Sequence, residues 1–349
     1  MRLNSLDYLR GLAAVGIVVY HFNSWSFGAY DSGSILSRFG LYGVSIFYML
    51  SGLTLFHIYE NKMFKNESVN SFFIKRFFRI MPLLWLVTTI TILGAKVHFE
   101  IVRILLNYSG LFSIFSPTSY IAGGAWSIGN EISFYLVFPL VVFAYQRKKV
   151  IFFILMALFL LCHIYFAFFV LSDKVSVPNQ WVSYINPLNQ VFFFMAGILI
   201  YILNKLIKLN RWPAILLFVL SVLLFVYFPV YGNKSNLIIG SNKIMFTLFC
   251  SFIIWSALNI NASSISPVHH LLKWLGEISY SVYLLHPLMW KLTIIFVSRL
   301  SINTNFIERL ILGLCLTLIS SHLVYNYFEL IISKFGRKFT VKPITINTP

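Results

Sequence analysis

The chain alternates long apolar runs with short polar connections. A membrane-spanning helix needs about 20 mostly apolar residues, and runs of that kind are bounded here by charges, Pro or clusters of Asn, Gly and Ser. The pattern predicts an all-α fold, a polytopic membrane protein with about ten transmembrane helices. These are placed near Leu6–Trp25, Phe39–Ile58, Phe77–Ala95, Ile128–Tyr145, Ile151–Leu171, Leu188–Leu203, Pro213–Phe228, Ile244–Leu258, Ile278–Val297 and Ile307–Tyr327.

The connections between these spans differ in positive charge from one side to the other. Cytoplasmic loops are the ones enriched in Lys and Arg. Seventeen such residues lie on the side of the N-terminus and eight on the opposite side, which predicts that both termini are cytoplasmic. Residues 1–330 form the predicted membrane domain and residues 331–349 a short basic tail. The pattern leaves open whether Leu105–Gly124 re-enters the membrane.

Composition narrows the class of protein further. The 349 residues are 59% hydrophobic, 18% aromatic and 11% charged, with a formal net charge of +17, whereas soluble domains are about 25% charged. A nucleic-acid-binding protein carries its positive charge on a polar surface that this chain lacks. We therefore expect membrane lipids and phosphates, and no nucleic acid, as partners. The N-terminal run lacks a small-x-small cleavage site, so it predicts a retained first span.

Ionisable residues inside the spans are the first candidates for function, because a charge at the bilayer centre costs at least about 2.5 kcal/mol. Arg10 and His21 lie eleven residues apart in the first span. At about 100° per residue this spacing returns to the same helix face about 16 Å further along. Asp7, one turn before Arg10, can orient it. A snorkelling arginine and a core histidine are the alternative, and the spacing does not decide between them.

Two arginines mark the predicted entrance of the third span. Arg76 and Arg79 lie three residues apart on one helix face, and their guanidinium groups can bind a phosphate through paired hydrogen bonds. Anchoring to acidic lipids is the alternative, and the sequence alone favours it. Glu131 begins the fourth span on the opposite side. It is either an acid, base or histidine orienter, or an interfacial residue in an aromatic belt.

The ninth span carries two candidate cavity-lining residues, Tyr280 and His286. His286 lies nine residues after Glu277, on the same helix face. It precedes Pro287, whose missing N–H leaves a backbone carbonyl unpaired. A helix kink without chemistry is an equal alternative. No HExxH or HxxxH spacing occurs, and three isolated cysteines form no ligand set, so no metal site is predicted.

Five segments carry recognisable sequence blocks. They are LDYLRGLAAVGIVVYHF (Arg or Lys, ten residues, His), GVSIFYMLSGLTL, FFIKRFFRIMPLLW (Arg-x-x-Arg and Pro), AWSIGNEISFYLVFPL (Trp-Ser-x-x-x-Glu-x-x-Phe-Tyr) and LGEISYSVYLLHPL (Ser-Tyr-x-x-Tyr-x-x-His). Together they resemble the acyltransferase-3 family of integral-membrane enzymes, whose second-span consensus is the second block. Each block alone is weak, but five blocks in the right order are specific. The chain departs from the family at Asn130 before Glu131, where Glu-Glu is common, and at Leu330 after Glu329, where Glu-Pro is common.

The resemblance implies a membrane O-acyltransferase of the bacterial cytoplasmic (inner) membrane, of the type that modifies polysaccharides outside the cytoplasm. No bound cofactor is expected. Acyl-CoA, acetyl-CoA by default, is the expected co-substrate, with its phosphates on Arg10, Arg76 and Arg79. Its thioester then lies near His21, the expected general base on a hydroxyl of a glycan or glycolipid acceptor. Glu131 is expected to orient His21 or to carry a second proton.

Two alternatives stay open. The first concerns mechanism, because an acyl group can rest on His21 as a covalent intermediate before it reaches the acceptor. The second concerns class, because a transporter or flippase of a glycan or lipid precursor would also place Arg10, Glu131 and His286 along its path. Since some family members carry a further domain that hands on the acyl group, a separate periplasmic transferase is also a candidate partner.

Overall fold

The computed structural model describes residues 4–65, 67–260, 267–301 and 303–340, and in these ranges the chain is helical and forms no β-strand. The predicted all-α fold is confirmed. The long helices are α1 Asn4–Phe27, α2 Ile35–Tyr59, α3 Val69–Leu93, α6 Ala125–Arg147, α7 Lys149–Tyr165, α9 Pro187–Leu206, α10 Arg211–Tyr227, α11 Gly240–Asn259, α12 Pro267–Arg299 and α13 Phe306–Val324. The short ones are α4 Ile101–Ser109, α5 Phe112–Phe115, α8 Trp181–Ile185 and α14 Leu330–Gly336.

Eight helical segments of the described chain are long and apolar enough to cross a membrane, as expected of a polytopic membrane protein. The two other predicted spans coincide with α1, which is less apolar, and with α10, which is apolar but has 17 residues. The count of ten and the sidedness therefore stay predictions. The eight segments are Ile35–Tyr59, Val69–Leu93, Ala125–Arg147, Lys149–Val170, Trp181–Leu206, Gly240–Asn259, Pro267–Arg299 and Phe306–Phe339.

Helix α1 lies parallel to α12, and small residues let the two backbones approach. A Cβ on Gly276 would overlap the carbonyl oxygen of Asp7, and Gly11 packs directly on Leu275. Close helix contacts in membranes are built on such residues. Helix α2 packs on α1 in the opposite direction, with Gly43 against Ile17 near the middle. Because α1 and α12 run parallel, residues at the same depth in these two helices are neighbours.

The segment whose re-entry the sequence leaves open folds back on its neighbours. Helix α4 packs on α3 and α5 packs on α6, with a left-handed turn at Gly110 between them (φ +75°). Asn107 holds the returning chain, since its Nδ2 donates to the Ser119 carbonyl at 2.8 Å and its Oδ1 accepts from the Ile121 N–H at 2.9 Å. The segment thus delivers the start of α6 to the flank of α12, where Gly123 meets Pro287.

The last helix continues past the predicted tenth span. A π-helical turn, Tyr325–Glu329, joins α13 to α14. Within the predicted tail, Gly336 packs on Phe78 of α3, and Phe339 stacks on the same ring. Residues 1–3 and 341–349, which carry part of the predicted charge bias, lie outside the described residues.

Candidate functional site

A cavity of about 180 Å³ lies between α1, α2, α3, α6 and α12. We call it the arginine cavity, because the side chains of Arg10, Arg76 and Arg79 line it. Glu131 and Tyr280 are also part of its wall. Five of the seven residues singled out in the sequence therefore come from four separate helices to one cavity.

Two of the three arginines have a carboxylate neighbour. Arg10 Nη1 lies 3.6 Å from Asp7, and Arg10 Nη2 donates to Thr54 Oγ1 at 3.4 Å. Arg79 Nη1 forms a 2.9 Å ion pair with Glu329. The side chains of Arg10 and Arg79 are 25% and 34% exposed, so this end of the cavity is open to its surroundings.

Arg76 differs from its two neighbours. It forms no hydrogen bond or ion pair within the described residues, and its buried Nε has no acceptor. A buried donor without an acceptor costs about 1–3 kcal/mol. The adjacent Lys75 is occupied by Glu67 at 2.6 Å, so Arg76 is the cation of this helix face that is left for a ligand.

Glu329 is a site residue that the sequence analysis named only within a family pattern and gave no role. Its side chain is only 2% exposed, and its carboxylate lies between Arg79 and the hydroxyl of Ser281, which donates to it. The π-helical turn shifts the register of the last helix and aims Glu329 inward. The available signals were the family's Glu-Pro position, here Glu329-Leu330, and an acidic residue at the end of an apolar run, but the predicted span ended at Tyr327.

Glu131 faces the cavity and bonds away from His21. Its Oε1 accepts from Ser51 Oγ at 2.6 Å and from the hydroxyl of Tyr135. Within the described residues no hydrogen bond or ion pair joins Glu131 to His21, so the structure does not bring Glu131 to His21 as its orienter. The physical reason is the depth of α6: Ser127 lies level with Tyr283, and Glu131, one turn further, meets α2.

His21 lies in an aromatic group that we call the histidine stack. Its ring lies 5.2 Å from His286 at 25° and 5.0 Å from Trp25 at 23°, and Trp25 is nearly parallel to His286 at 11°. His286 was expected to line the cavity, but it lies at the same depth on α12 as His21 on α1 and belongs to this stack instead.

No three His, Cys, Asp or Glu side chains converge as metal ligands in the described ranges.

Pro287 determines the hydrogen bonding of His286. The Tyr283 carbonyl would normally accept from the N–H of residue 287, which proline lacks. His286 Nδ1 takes that place, 2.6 Å from the Tyr283 oxygen. In a neutral ring the lone pair is then on Nε2, which is buried and has no partner in the described part of the chain. The carbonyl that Pro287 leaves without its backbone donor thus fixes the tautomer of His286.

Phe47 and Tyr283 lie between the arginine cavity and the histidine stack. Both line the cavity, their rings are 5.9 Å apart, and Tyr283 is also 5.9 Å from His286. The Tyr283 hydroxyl donates to the Gly124 carbonyl at 3.0 Å and accepts from Ser127 at 2.7 Å. Cavity and stack are therefore neighbouring, separate places on one path along α1.

Comparison with known proteins matches the acyltransferase domain family over residues 3–326. The peptidoglycan O-acetyltransferase OatA of Listeria monocytogenes serovar 1/2a is 26% identical, over 95% of this chain and 56% of its own length. The O-acetyltransferase OatA of Staphylococcus aureus strain NCTC 8325 is 24% identical, over 96% of this chain and 58% of its own. The chain thus spans little more than half the length of these relatives, and no solved structure matches it. Because the family match covers nearly the whole chain, the protein belongs to the acyltransferase-3 family of membrane acyltransferases.

Proposed function

We propose that this protein transfers an acyl group, acetyl by likeness to its relatives, from acyl-CoA at the cytoplasmic side to a hydroxyl of a glycan or glycolipid outside the cytoplasm. The names of two relatives support an O-acetyltransferase. The observation that carries the donor is the unpaired guanidinium of Arg76 beside Arg10 and Arg79 in one cavity. His21 is the proposed general base.

The arginine cavity suits the phosphates of coenzyme A. Guanidinium groups bind phosphate oxygens through paired, charge-assisted hydrogen bonds. Arg76 supplies a vacant fork, while Asp7 and Glu329 hold Arg10 and Arg79 in place and leave part of each exposed. The basic connection before α3 supports a cytoplasmic position for this end.

The pantetheine arm would run from the cavity along α1. Arg10 and His21 are separated by about 16 Å along the helix, a distance that an extended arm of this kind can cover. Phe47 and Tyr283 lie on this path, so both side chains have to turn aside when the thioester reaches His21. The cavity wall along this path includes Glu131, Ser51 and Tyr135. We therefore assign to Glu131 the role of positioning the acyl-CoA donor.

In the proposed transfer, His21 both accepts and returns the proton. An imidazole nitrogen of His21 takes the proton of the acceptor hydroxyl while the oxygen bonds to the thioester carbonyl carbon. The carbon–sulfur bond then breaks, and the imidazolium returns the proton to the departing thiolate. Imidazole suits both steps because it exchanges protons near neutral pH.

Substitution His21→Ala tests the base. We expect transfer from labelled acetyl-CoA to a glycan to fall at least about 100-fold, with acetyl-CoA affinity within about twofold of wild type because the phosphate contacts remain. The exposed His98, changed to Ala, is the control. Substantial residual transfer in His21→Ala would remove His21 from the chemistry. Label retained on the protein without acceptor would favour the acyl-histidine route.

Substitution Arg76→Ala tests the donor site. Loss of a charged hydrogen-bond partner for phosphate predicts at least about tenfold weaker acetyl-CoA binding by calorimetry. The unfolding temperature should not fall, because Arg76 has no bond to lose. Arg147→Ala, at the exposed end of α6, is the matched control for lipid anchoring. Equal donor affinity in both variants would make Arg76 a lipid anchor. No donor binding and no transfer in wild type would favour a transporter.

A further inference from the structure

Trp25 presents an aromatic surface beside the proposed base. Its indole stacks nearly parallel on His21 and His286, yet 47% of Trp25 is exposed. The inner part of the indole therefore fixes it against both imidazoles, and the rest stays open next to His21. An indole that only anchors a helix in lipid needs no parallel contact with two histidines.

Lys234 lies on another flank of His21. Its Nζ is 4.3 Å from the centroid of the Tyr20 ring and donates to the Tyr20 hydroxyl, and that ring is 5.0 Å from His21. The cap of Asn233 on the N–H of Ser235 holds the turn that carries Lys234. Within the described residues Lys234 has no carboxylate partner, and its contacts with the uncharged Tyr20 side chain do not neutralise its positive charge.

We propose that Trp25 and Lys234 form the acceptor subsite, and that the acceptor bound there is a six-membered sugar ring with a carboxylate. This inference rests on the proposed function. The donor approaches His21 from the arginine cavity, so the acceptor comes from the side of Trp25. The electron-rich face of an indole attracts the C–H face of a pyranose. An ammonium group pairs with a carboxylate on the same ring.

Each group would select for a different part of the acceptor. The aromatic surface recognises the ring itself, whether neutral or charged. Lys234 recognises only the substituent, and it distinguishes an acidic sugar from its neutral counterpart. The two contributions can therefore be separated by two acceptors that differ in the carboxylate alone.

The test measures binding without donor, so that it does not depend on chemistry. The probes are two fluorescent oligosaccharides of equal length in which N-acetylglucosamine alternates with N-acetylmuramic acid, titrated against purified protein in nanodiscs. The lactyl carboxylate is free in the acidic probe and amidated in the neutral one. We expect Trp25→Ala to weaken both about tenfold, and Trp25→Phe to recover most of the loss. We expect Lys234→Met to weaken only the acidic probe, about threefold to fivefold, and Lys234→Arg to restore it.

Matched controls are Trp212→Ala, another exposed tryptophan, and Lys174→Met, an exposed lysine on the predicted outer side; neither should change binding. Equal loss of both probes in Lys234→Met would overturn the carboxylate, and an unchanged affinity in Trp25→Ala would overturn the subsite. Probe binding with no acyl transfer would instead defeat the proposed function and leave the subsite intact.

Discussion

Single polar contacts decide what each side chain of the site can do. Within the part of the chain that the structure describes, the guanidinium of Arg76 has no partner, because the nearby carboxylates pair with other cations. Glu67 pairs with Lys75, and Glu329 pairs with Arg79. In the histidine stack, the bond from His286 to the Tyr283 carbonyl leaves a lone pair on Nε2. Chemistry at this scale depends on which partners are already occupied.

Substitution Pro287→Ala tests the tautomer of His286. The new N–H would compete for the Tyr283 carbonyl and release the ring that stacks on His21. We expect kcat of acyl transfer to fall about fivefold. This factor corresponds to the loss of one hydrogen bond, which contributes about 1 kcal/mol. The unfolding temperature should stay or rise, because proline inside a helix is costly.

Pro139→Ala in α6 is the control, since that proline lies inside a helix away from the histidines. A lower kcat together with an unchanged or higher unfolding temperature would distinguish the expected effect from a general loss of folded protein. Full activity in Pro287→Ala would show that the orientation of His286 is irrelevant to transfer.

At the scale of helices, register places the site residues at two depths. The parallel contact of α1 and α12 at Gly11 and Gly276 brings His21 level with His286. The π-helical turn before α14 brings Glu329 to Arg79. A shift of either helix along its axis would separate these pairs without removing any residue.

Substitution Gly276→Ala tests this register. The added methyl group would overlap the Asp7 backbone, and overpacking of this kind costs about 1–3 kcal/mol. We expect a lower unfolding temperature in detergent and about tenfold slower transfer, because Arg10 and His21 move together with α1. Gly33→Ala, whose Cβ would lie 3.8 Å from the nearest atom, is the control. An unchanged unfolding temperature in Gly276→Ala would refute the close contact.

The whole molecule places a positive cavity and a histidine stack along one helix, with Phe47 and Tyr283 between them. This order matters because the proposed donor and acceptor are on opposite sides of a membrane. The excess of lysine and arginine in the connections next to the cavity predicts that the cavity faces the cytoplasm.

Cysteine labelling tests that orientation. In a background with Ser at the three native cysteines, Asn233→Cys should react with a membrane-impermeant thiol reagent in intact cells. Lys62→Cys should react only after permeabilisation, because the positive-inside rule places the α2–α3 connection in the cytoplasm. Each position is the control for the other, as both are exposed. The reverse pattern would put the arginine cavity outside and exclude cytoplasmic acyl-CoA as donor.

Much of the arrangement was predictable, because membrane helices follow from local composition. Runs of about 20 apolar residues predicted the helices, and spacing within α1 and within α3 placed Arg10 with His21 and Arg76 with Arg79 on shared faces. What spacing could not predict was partners on other helices. Glu131 was matched with His21 but meets Ser51, and Glu329 was given no role although it pairs with Arg79.

The sequence by itself determined the helices, the membrane class and the family, since these depend on composition, periodicity and motifs along a single chain. Only the tertiary structure decided that three arginines and Glu131 share one cavity while His21 and His286 stack outside it. The reason is that contacts between helices depend on relative depth and rotation. Those are set by close packing at residues such as Gly276, and no pattern within one helix records them.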